Sequence, residues 1–527
     1  MATTTTNLER EVKLGADWTL DLPDLRPIVG RTIREPDQDL RTVYLDTDDL
    51  RLWRRGLTLR HRTEGGGSTG VWTLKIPAGE AGATLERTEL SWPGERSAVP
   101  AEALRLLGAI VRRAPLEQVA ELATTRHRLL LGDPDSESLV ELDDDAVTIL
   151  GGAREGIRFR QIELELAGGD SAVLGAVVDE LHRAGAFPDN EPKLAKAIRF
   201  WSAAHAANGE TRGARPEPLT SQSSLEDVVR ASIWTGLDRL LDHDLRLRVS
   251  PSGPTVRDVH QARVATRRLR SDLKTFGHLL DPVWLRHTRD DLRWVGDGLG
   301  QVRDVDVLTE SLLSDEGGSS LGESAFRDQC RNRLLSDRAA AVGKLSEVLA
   351  AEERYLNLLD RLHAAALRPP FLEPDAGPVA RSGASASHSP GTRAADALPA
   401  VVGAQWRSLR KRVRKAGRHP SDRDLHRIRI RAKQLRYAAE AAAPVIGKPA
   451  SRLASAAEQV QTTLGAHHDA VGAERELMTL AQGLSPAAAF AAGVHSSGIR
   501  ANRETLRRKW KGDWQRLRRK RLRRWLA

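Results

Sequence analysis

The 527-residue sequence predicts an α+β chain of two domains. The first half is a β-sheet domain that closes into a charged tunnel with helices outside. The second is an almost wholly helical domain built by duplication. Three observations carry this. Charged and aliphatic residues alternate with period two along segment after segment before residue 170. Helical periodicity fills nearly all of the chain after residue 224. The charge changes sign between the halves: residues 1–205 hold 26 Lys and Arg against 34 Asp and Glu, and residues 206–527 hold 55 against 37. Opposite signs imply two domains with different electrostatic tasks.

The strands are expected at "EREVK" (9–13), "TVYLD" (42–46), "LTLRHR" (57–62), "VWTLKIP" (71–77), "RTELSW" (87–92), "RHRLLL" (126–131), "SLVELDDDAVTIL" (138–150) and "FRQIELEL" (159–166). Gly, Pro and Asp punctuate them. Helices are expected at 101–112, 171–186 and 192–205. A Gly-, Pro- and Ser-rich stretch then reads as a linker, 207–222. The helical domain follows over 223–515, in two repeats, 223–367 and 392–515. The segment 368–391, rich in Pro, Gly, Ser and Ala, is expected to be a disordered loop between them. A basic tail, 516–527, ends the chain.

Composition narrows the setting. One cysteine, Cys330, excludes a disulfide framework and points to a reducing compartment. The start, "MATTTTNLEREVKLG", has no apolar signal region. No apolar run approaches the ~20 residues of a membrane-spanning helix. A cytoplasmic protein with no membrane partner is expected.

Side chains two apart share a strand face. Glu9, Glu11 and Lys13 therefore lie together, as do Arg60 and Arg62, Arg87 and Glu89, Arg126 and Arg128, and Glu163 and Glu165. Glu141, Asp143 and Asp145 line another strand, and Lys75 stands in "WTLKIP". Any one pair reads most simply as a solvated sheet face. The opposite faces are aliphatic, however: Val12 and Leu14; Leu57 and Leu59; Ile162, Leu164 and Leu166. A closed sheet would turn those faces out to helices and the charged faces into a tunnel. Carboxylates there suit a hard divalent cation such as Mg²⁺, and Arg and Lys suit phosphate oxygens. Together they read as metal-assisted hydrolysis of a short polyphosphate.

In the helical half, His260, Arg263, Arg267 and Arg270 sit at offsets 0, 3, 7 and 10. His426, Arg429, Lys433 and Arg436 repeat those offsets. "LGQVRD" (299–304) and "LGAHHD" (464–469) follow their histidines by 39 and 38 residues. At about 100° per residue each set occupies an arc of roughly 80° on a helix. Lys274 continues the first stripe, and Ala262, Ala265, Leu269 and Phe276 lie beside it. Guanidinium groups at this spacing suit a string of phosphates. A lone basic helix is more often a solvated face. Duplication, the net positive domain and the lack of acids on the stripe favour a polyanion. Nucleic acid ranks second, because aromatics are not interleaved with the bases apart from Tyr437.

Two family resemblances rest on these residues. "EREVK" resembles the E-x-E-x-K signature of the CYTH superfamily, the triphosphate tunnel metalloenzymes. "YLDTDDLRLWRRGLTLRHR" (44–62), "RTEL", "VELDDDAV", "IELEL" and "EPKLAKAI" (191–198) follow in that family's order, so the resemblance spans about 7–203. It implies an eight-stranded antiparallel tunnel. Glu9, Glu11, Asp145, Glu163 and Glu165 would hold Mg²⁺ or Mn²⁺, with catalysis resting on Glu9, Glu11, Glu163 and Glu165. Lys13, Arg60, Arg62, Lys75, Arg87, Arg126 and Lys193 would grip the triphosphate. Within the "DDD" run Asp145 is preferred to Asp144 because it shares a face with Glu141, and Arg128 is a lesser candidate on the face of Arg126.

The paired "H-x-x-R-x-x-x-[RK]-x-L-R" helices and "LG" turns resemble the CHAD family, the conserved histidine α-helical domain, over about 223–510. That resemblance implies two four-helix halves around a basic site for inorganic polyphosphate. The site would be formed by His260, Arg263, Arg267, Arg270, Lys274, Arg303, His426, Arg429, Lys433 and Arg436. Either His467 or His468 stands where the first copy has Arg303. The combined expectation is an inorganic triphosphatase that also binds long-chain polyphosphate and can associate with polyphosphate granules. The alternatives are a polyphosphate-binding module with little catalysis, and a thiamine triphosphatase or adenylate cyclase in the same tunnel.

Overall fold

The computed structural model describes residues 5–81, 84–132, 140–151, 154–166, 171–198, 215–249, 253–313, 321–372 and 389–526. The chain divides into two compact units, Met1–Ala214 and Arg215–Ala527.

Among the described residues the first unit has ten antiparallel strands: β1 (Thr5–Gly15), β2 (Thr32–Arg34), β3 (Gln38–Asp46), β4 (Thr58–Glu64), β5 (Thr69–Ala81), β6 (Thr84–Glu95), β7 (Glu117–Leu131), β8 (Val140–Gly151), β9 (Arg158–Leu166) and β10 (Phe187–Pro188). The order β1-β6-β5-β4-β3-β7-β8-β9 returns to β1, because β1 also pairs with β9. Eight strands thus form a closed ring, the expected tunnel. The short strands β2 and β10 attach outside the ring, to β7 and β1.

Alternation decides which side chains enter the ring. Leu14, Leu131, Leu142, Ile162 and Leu164 point outward and pack on Leu174, Val177 and Leu181 of helix α3 (Ser171–Ala184). Tyr44, Val119, Leu122, Val147 and Ile149 pack on Leu194, Ala197 and Ile198 of α4 (Lys193–Ile198). Helix α2 (Ala101–Val111) buries Leu106, Leu107 and Ile110. It is tied to the sheet by Trp92, whose Nε1 donates to Glu102 at 3.0 Å. A four-residue helix, α1 (Arg26–Val29), joins β1 to β2. Each fully buried leucine contributes about 2 kcal/mol, so the outward apolar faces hold the helices on and leave the inner faces free to be charged.

The second unit contains nine α-helices among the described residues: α5 (Leu225–Val249), α6 (Val256–Thr275), α7 (Pro282–Leu313), α8 (Leu321–Ala350), α9 (Glu352–Leu367), α10 (Ala394–Ala416), α11 (Asp422–Ile446), α12 (Lys448–Ala481) and α13 (Pro486–Leu517). The duplication is visible at the helix starts. Thr255 caps α6 by accepting from the Asp258 backbone N–H, and Ser421 caps α11 by accepting from that of Asp424. Helices α5–α8 correspond in chain order to α10–α13. The first copy has an additional helix, α9, packed on α5 and α7, so the halves are not two equal sets of four.

Four expectations need correction. The "LG" pairs are not turns: Gly300 lies inside α7 and Gly465 inside α12. The segment 368–391 is anchored at both ends. Asp281 N–H donates to Pro370 O at 2.8 Å, Leu372 N–H to Leu279 O at 2.9 Å, and Glu226 N–H to Pro390 O at 2.9 Å. Residues 373–388 lie outside the described ones. The tail is part of the bundle. After α13 a short 3₁₀ turn, Lys520–Leu522, brings Arg523 over the Trp406 ring at 4.6 Å. Likewise the end of the expected linker belongs to this unit, since Arg393 Nε donates to Ser221 O at 3.1 Å.

Candidate functional site

The tunnel side chains come from strands whose register places them opposite one another. Lys13 faces Glu163, and Glu11 faces Glu165. Asp143 faces Glu163, and Glu141 faces Glu165. Arg126 faces Asp145, Lys75 faces Glu89, and Glu9 faces Arg87. The side chain of Glu9 lies outside the described residues.

Acids and bases interlock along this wall. Lys13 Nζ lies 2.5 Å from both Glu11 Oε2 and Glu163 Oε1. Arg126 makes a two-pronged contact with Asp145, at 2.8 and 2.7 Å, and also reaches Asp143 and Glu163. Lys193, at the start of α4, places Nζ 2.7 Å from Asp145 and 2.8 Å from Glu163. Lys75 pairs with Glu89 at 2.5 Å, and Arg60 stands 3.7 Å from the same carboxylate. Arg87 approaches Glu11 at 3.9 Å. Arg128 pairs with Asp143 at 2.7 Å and with Glu141 at 3.3 Å.

These pairings fix the protonation states. Burial alone would discharge Lys13, but Glu163 and Glu11 more than offset it and raise its pKa. Burial would raise Glu163, but Lys13, Lys193 and Arg126 hold it well below the usual carboxylate range. Asp145 is also lowered, against its burial, by Lys193 and Arg126. Arg62 is different. Its Nε donates to Thr42 Oγ1 at 3.3 Å, and among the described residues no carboxylate pairs with it. Burial, then Arg60 and Arg126, push its pKa down to about 10.

The DDD register is settled by partners. Asp145 points into the tunnel, whereas Asp144 pairs with Arg160 at 2.8 Å. Among the described residues no three carboxylates converge as a ready metal cluster, because Lys13 and Arg126 stand between them. One oxygen is left over: Glu11 Oε1 is buried without a hydrogen-bond partner. An oxygen-only set with a buried carboxylate oxygen that accepts no hydrogen bond, Arg87 standing 3.9 Å from it, fits a hard cation such as Mg²⁺. Sequence reasoning passed over Glu89 and Asp143 as site residues. Their signal was present, since each stands two residues from a residue that it did select, Arg87 and Asp145.

In the helical unit the two basic ridges lie on α6 and α11, which pack together. Arg267 Nε donates to Tyr437 Oη at 3.3 Å, across that contact. Lys433 is one turn before Tyr437 and Arg429 one turn before that. Burial, then Arg267, Arg429, Arg270 and Arg263, lower the Lys433 pKa to about 7. Burial also lowers Arg429, with Arg267 and Arg263 opposing its charge and Asp469 supporting it. Its Nε is buried without a hydrogen-bond partner. Burial is the first cause of the lowered pKa of Arg270 and Lys274 as well. The two stripes thus meet as one cationic cluster.

The copies diverge at their ends. Arg436 is neutralised by Glu440 at 2.6 Å and Glu458 at 2.9 Å, so acids do approach this ridge. His426 Nδ1 lies 3.2 Å from His468 Nδ1, while His467 is buried near Asp422. Arg303 acts on His260 electrostatically, and His468 contacts His426, so His468 takes the place of Arg303. Burial, then Arg429 and His426, lower the His468 pKa to about 4. Arg303 itself reaches Glu310 at 3.7 Å. Sequence reasoning missed the two aspartates that follow, Asp304 and Asp469. Arg263 pairs with Asp304 at 3.4 Å, and Arg429 is drawn to Asp469. Both close the repeated "LG" motif, which was the available signal.

The profile of the CYTH domain matches residues 7–188, and that of the CHAD domain matches residues 231–479. The chain belongs to both families. It is a CYTH–CHAD protein. Its similarity to Rv2226 of Mycobacterium tuberculosis is 32% identity over 480 residues, covering 85% of this chain and 84% of that one. Among solved structures, PptA from Streptomyces chartreusis is 21% identical, with a TM-score of 0.44, covering 56% of this chain and 100% of its own. HpAC1 from Hippeastrum, described as having a dominant triphosphatase activity, is 15% identical, with a TM-score of 0.25, covering 37% of this chain and 96% of its own. No described helix is long and apolar enough to cross a membrane.

Proposed function

We propose that the CYTH tunnel hydrolyses inorganic triphosphate to pyrophosphate and phosphate, with Mg²⁺ or Mn²⁺, and that the CHAD domain binds long-chain polyphosphate. The observation that carries the first reading is Arg62. It stands beside Arg60 and Arg126 with no carboxylate partner among the described residues, so part of the lumen is short of negative charge. A phosphate oxygen supplies that charge. Lys13, Arg126 and Lys193 can then exchange carboxylate oxygens for phosphate oxygens and hold the chain in line.

With those cations turned to the phosphate, Glu11, Asp145, Glu163 and Glu165 would hold the divalent ion, with Glu9 beside them on β1. The ion supplies charge neutralisation and a more acidic bound water. The tunnel residues supply orientation, and the closed wall limits bulk water. The tunnel side chains that face one another are charged, and inorganic triphosphate has no base or sugar to recognise, so the inorganic substrate is preferred. For the CHAD domain, a cluster of cations that lower one another's pKa favours a ligand of high negative charge density. A soluble cytoplasmic setting accords with this chemistry.

The test is phosphate release from tripolyphosphate, ATP and thiamine triphosphate with each metal. Turnover on tripolyphosphate exceeding the others is expected. Preference for thiamine triphosphate or conversion of ATP to cyclic AMP would replace this reading. Absence of all turnover would leave a polyphosphate-binding module.

A further inference from the structure

The ridges do not absorb the most basic surface of the helical unit. Residues 397–421 contain no acidic residue and carry seven Lys and Arg. Residues 507–526 carry eleven against one acid, Asp513. That acid is buried and accepts a hydrogen bond from Thr463 Oγ1 at 2.7 Å. The two segments lie side by side and antiparallel. Trp406 stacks on Trp514 with centroids 5.5 Å apart, and Arg507 donates to Pro420 O at 3.0 Å. Between those contacts α13 advances about 10 Å along α10. Beyond α13 the chain turns back and sets Arg523 on Trp406. Burial, then Arg410 and Arg518, lower the Arg523 pKa, so cations from both segments converge there.

We propose that this face of α10 and the C-terminal segment is a second docking surface for polyphosphate, engaged by long chains and not by short ones. It rests on the polyphosphate reading of the CHAD domain. The chemistry of the face favours a chain without bases. Trp406 and Trp510 are buried and Trp514 is stacked on Trp406, so these rings are used internally rather than offered to nucleobases. Among the exposed side chains of the face are the charged Arg410, Arg414, Arg418 and Arg518. The face is also continuous with the ridge. Residues 417–421 lead α10 directly into α11, which carries His426, Arg429 and Lys433. A chain held at the ridge therefore has its free length at high effective concentration near the face. A chain too short to leave the ridge gains nothing from it.

The experiment compares the full chain with an Arg410→Glu/Arg518→Glu variant, both sites being exposed, after thermal unfolding shows that the fold is kept. Affinity is measured for polyphosphates of about 10 and about 100 phosphates at fixed salt. The expected result is about a tenfold loss for the long chain and less than about a twofold change for the short one. Equal losses for both lengths, or no loss for the long chain, would overturn the proposal. So would a loss confined to duplex DNA, which would make the face a nucleic-acid surface. If the unaltered protein binds neither chain, the polyphosphate reading fails first and takes this proposal with it.

Discussion

The tunnel and the ridge cluster contain the same cations but treat them in opposite ways. In the tunnel, Lys13 lies between Glu11 and Glu163, and its pKa is raised despite burial. In the cluster, Lys433 lies among Arg263, Arg267, Arg270 and Arg429, and its pKa falls to about 7. A site whose charges are already matched must exchange partners to admit an anion, and the carboxylates it releases then need a cation. A site whose charges repel gains directly from any polyanion. The first arrangement suits anion and metal together; the second needs no metal.

The largest expected effect breaks the first half of this contrast. Glu163→Gln keeps the shape and removes a charge shared by Lys13, Lys193 and Arg126. Turnover on tripolyphosphate should fall about a hundredfold or more, with circular dichroism and polyphosphate affinity unchanged. Wild-type turnover in a folded variant would remove Glu163 from the site. The second effect breaks the other half. Arg263→Glu/Arg267→Glu should weaken long-chain binding by about a hundredfold and flatten its dependence on salt, by the counterion argument. Tunnel turnover should not move, and if it does, the two sites are not independent.

The third sharpens the contrast through pH. Lys433 is depressed in the free protein, and a bound polyanion favours its charged form, so binding takes up a proton above pH 7. Affinity should therefore weaken by up to about tenfold per pH unit as pH rises above 7. Lys433→Arg should flatten that profile in titrations across several buffers. For folding the sign is opposite. Between about pH 7 and the ordinary lysine value the unfolded chain holds the extra proton, so this group's contribution to stability rises with pH. The smallest effect concerns Gly300. A Cβ there would lie 2.5 Å from a terminal nitrogen of Arg263, at the end of a flexible side chain. Gly300→Ala should displace that guanidinium and cost about two- to threefold in polyphosphate affinity, read by the same titration.

Much of this was legible in the sequence because strand alternation and helical spacing are local. Leu164 outward with Glu163 and Glu165 inward follows from period two alone, and the ridge on α6 follows from offsets 0, 3, 7 and 10. What was not legible depends on partners distant in sequence. Alternation already favoured Asp145 over Asp144, but that Arg126 and Lys193 hold Asp145 while Arg160 takes Asp144 was not readable from it. That Arg436 is neutralised required Glu458, which lies on another helix. The glycines read as turns lie inside helices, where Arg263 comes close to Gly300 and Arg429 to Gly465, approaches that join residues distant in sequence. The tail 516–527 was set apart from the helical domain on its charge, and the placement of Arg523 over Trp406 depends on a residue more than a hundred positions away.

The central claim is that one chain holds a metal-dependent tunnel and a metal-independent polyanion site. The most direct measurement follows triphosphate hydrolysis and long-chain polyphosphate binding in the same preparation, before and after a chelator removes divalent metal. Hydrolysis should vanish and return with Mg²⁺ or Mn²⁺, while polyphosphate affinity stays unchanged throughout. Hydrolysis that survives the chelator, or polyphosphate binding lost along with it, would contradict the account.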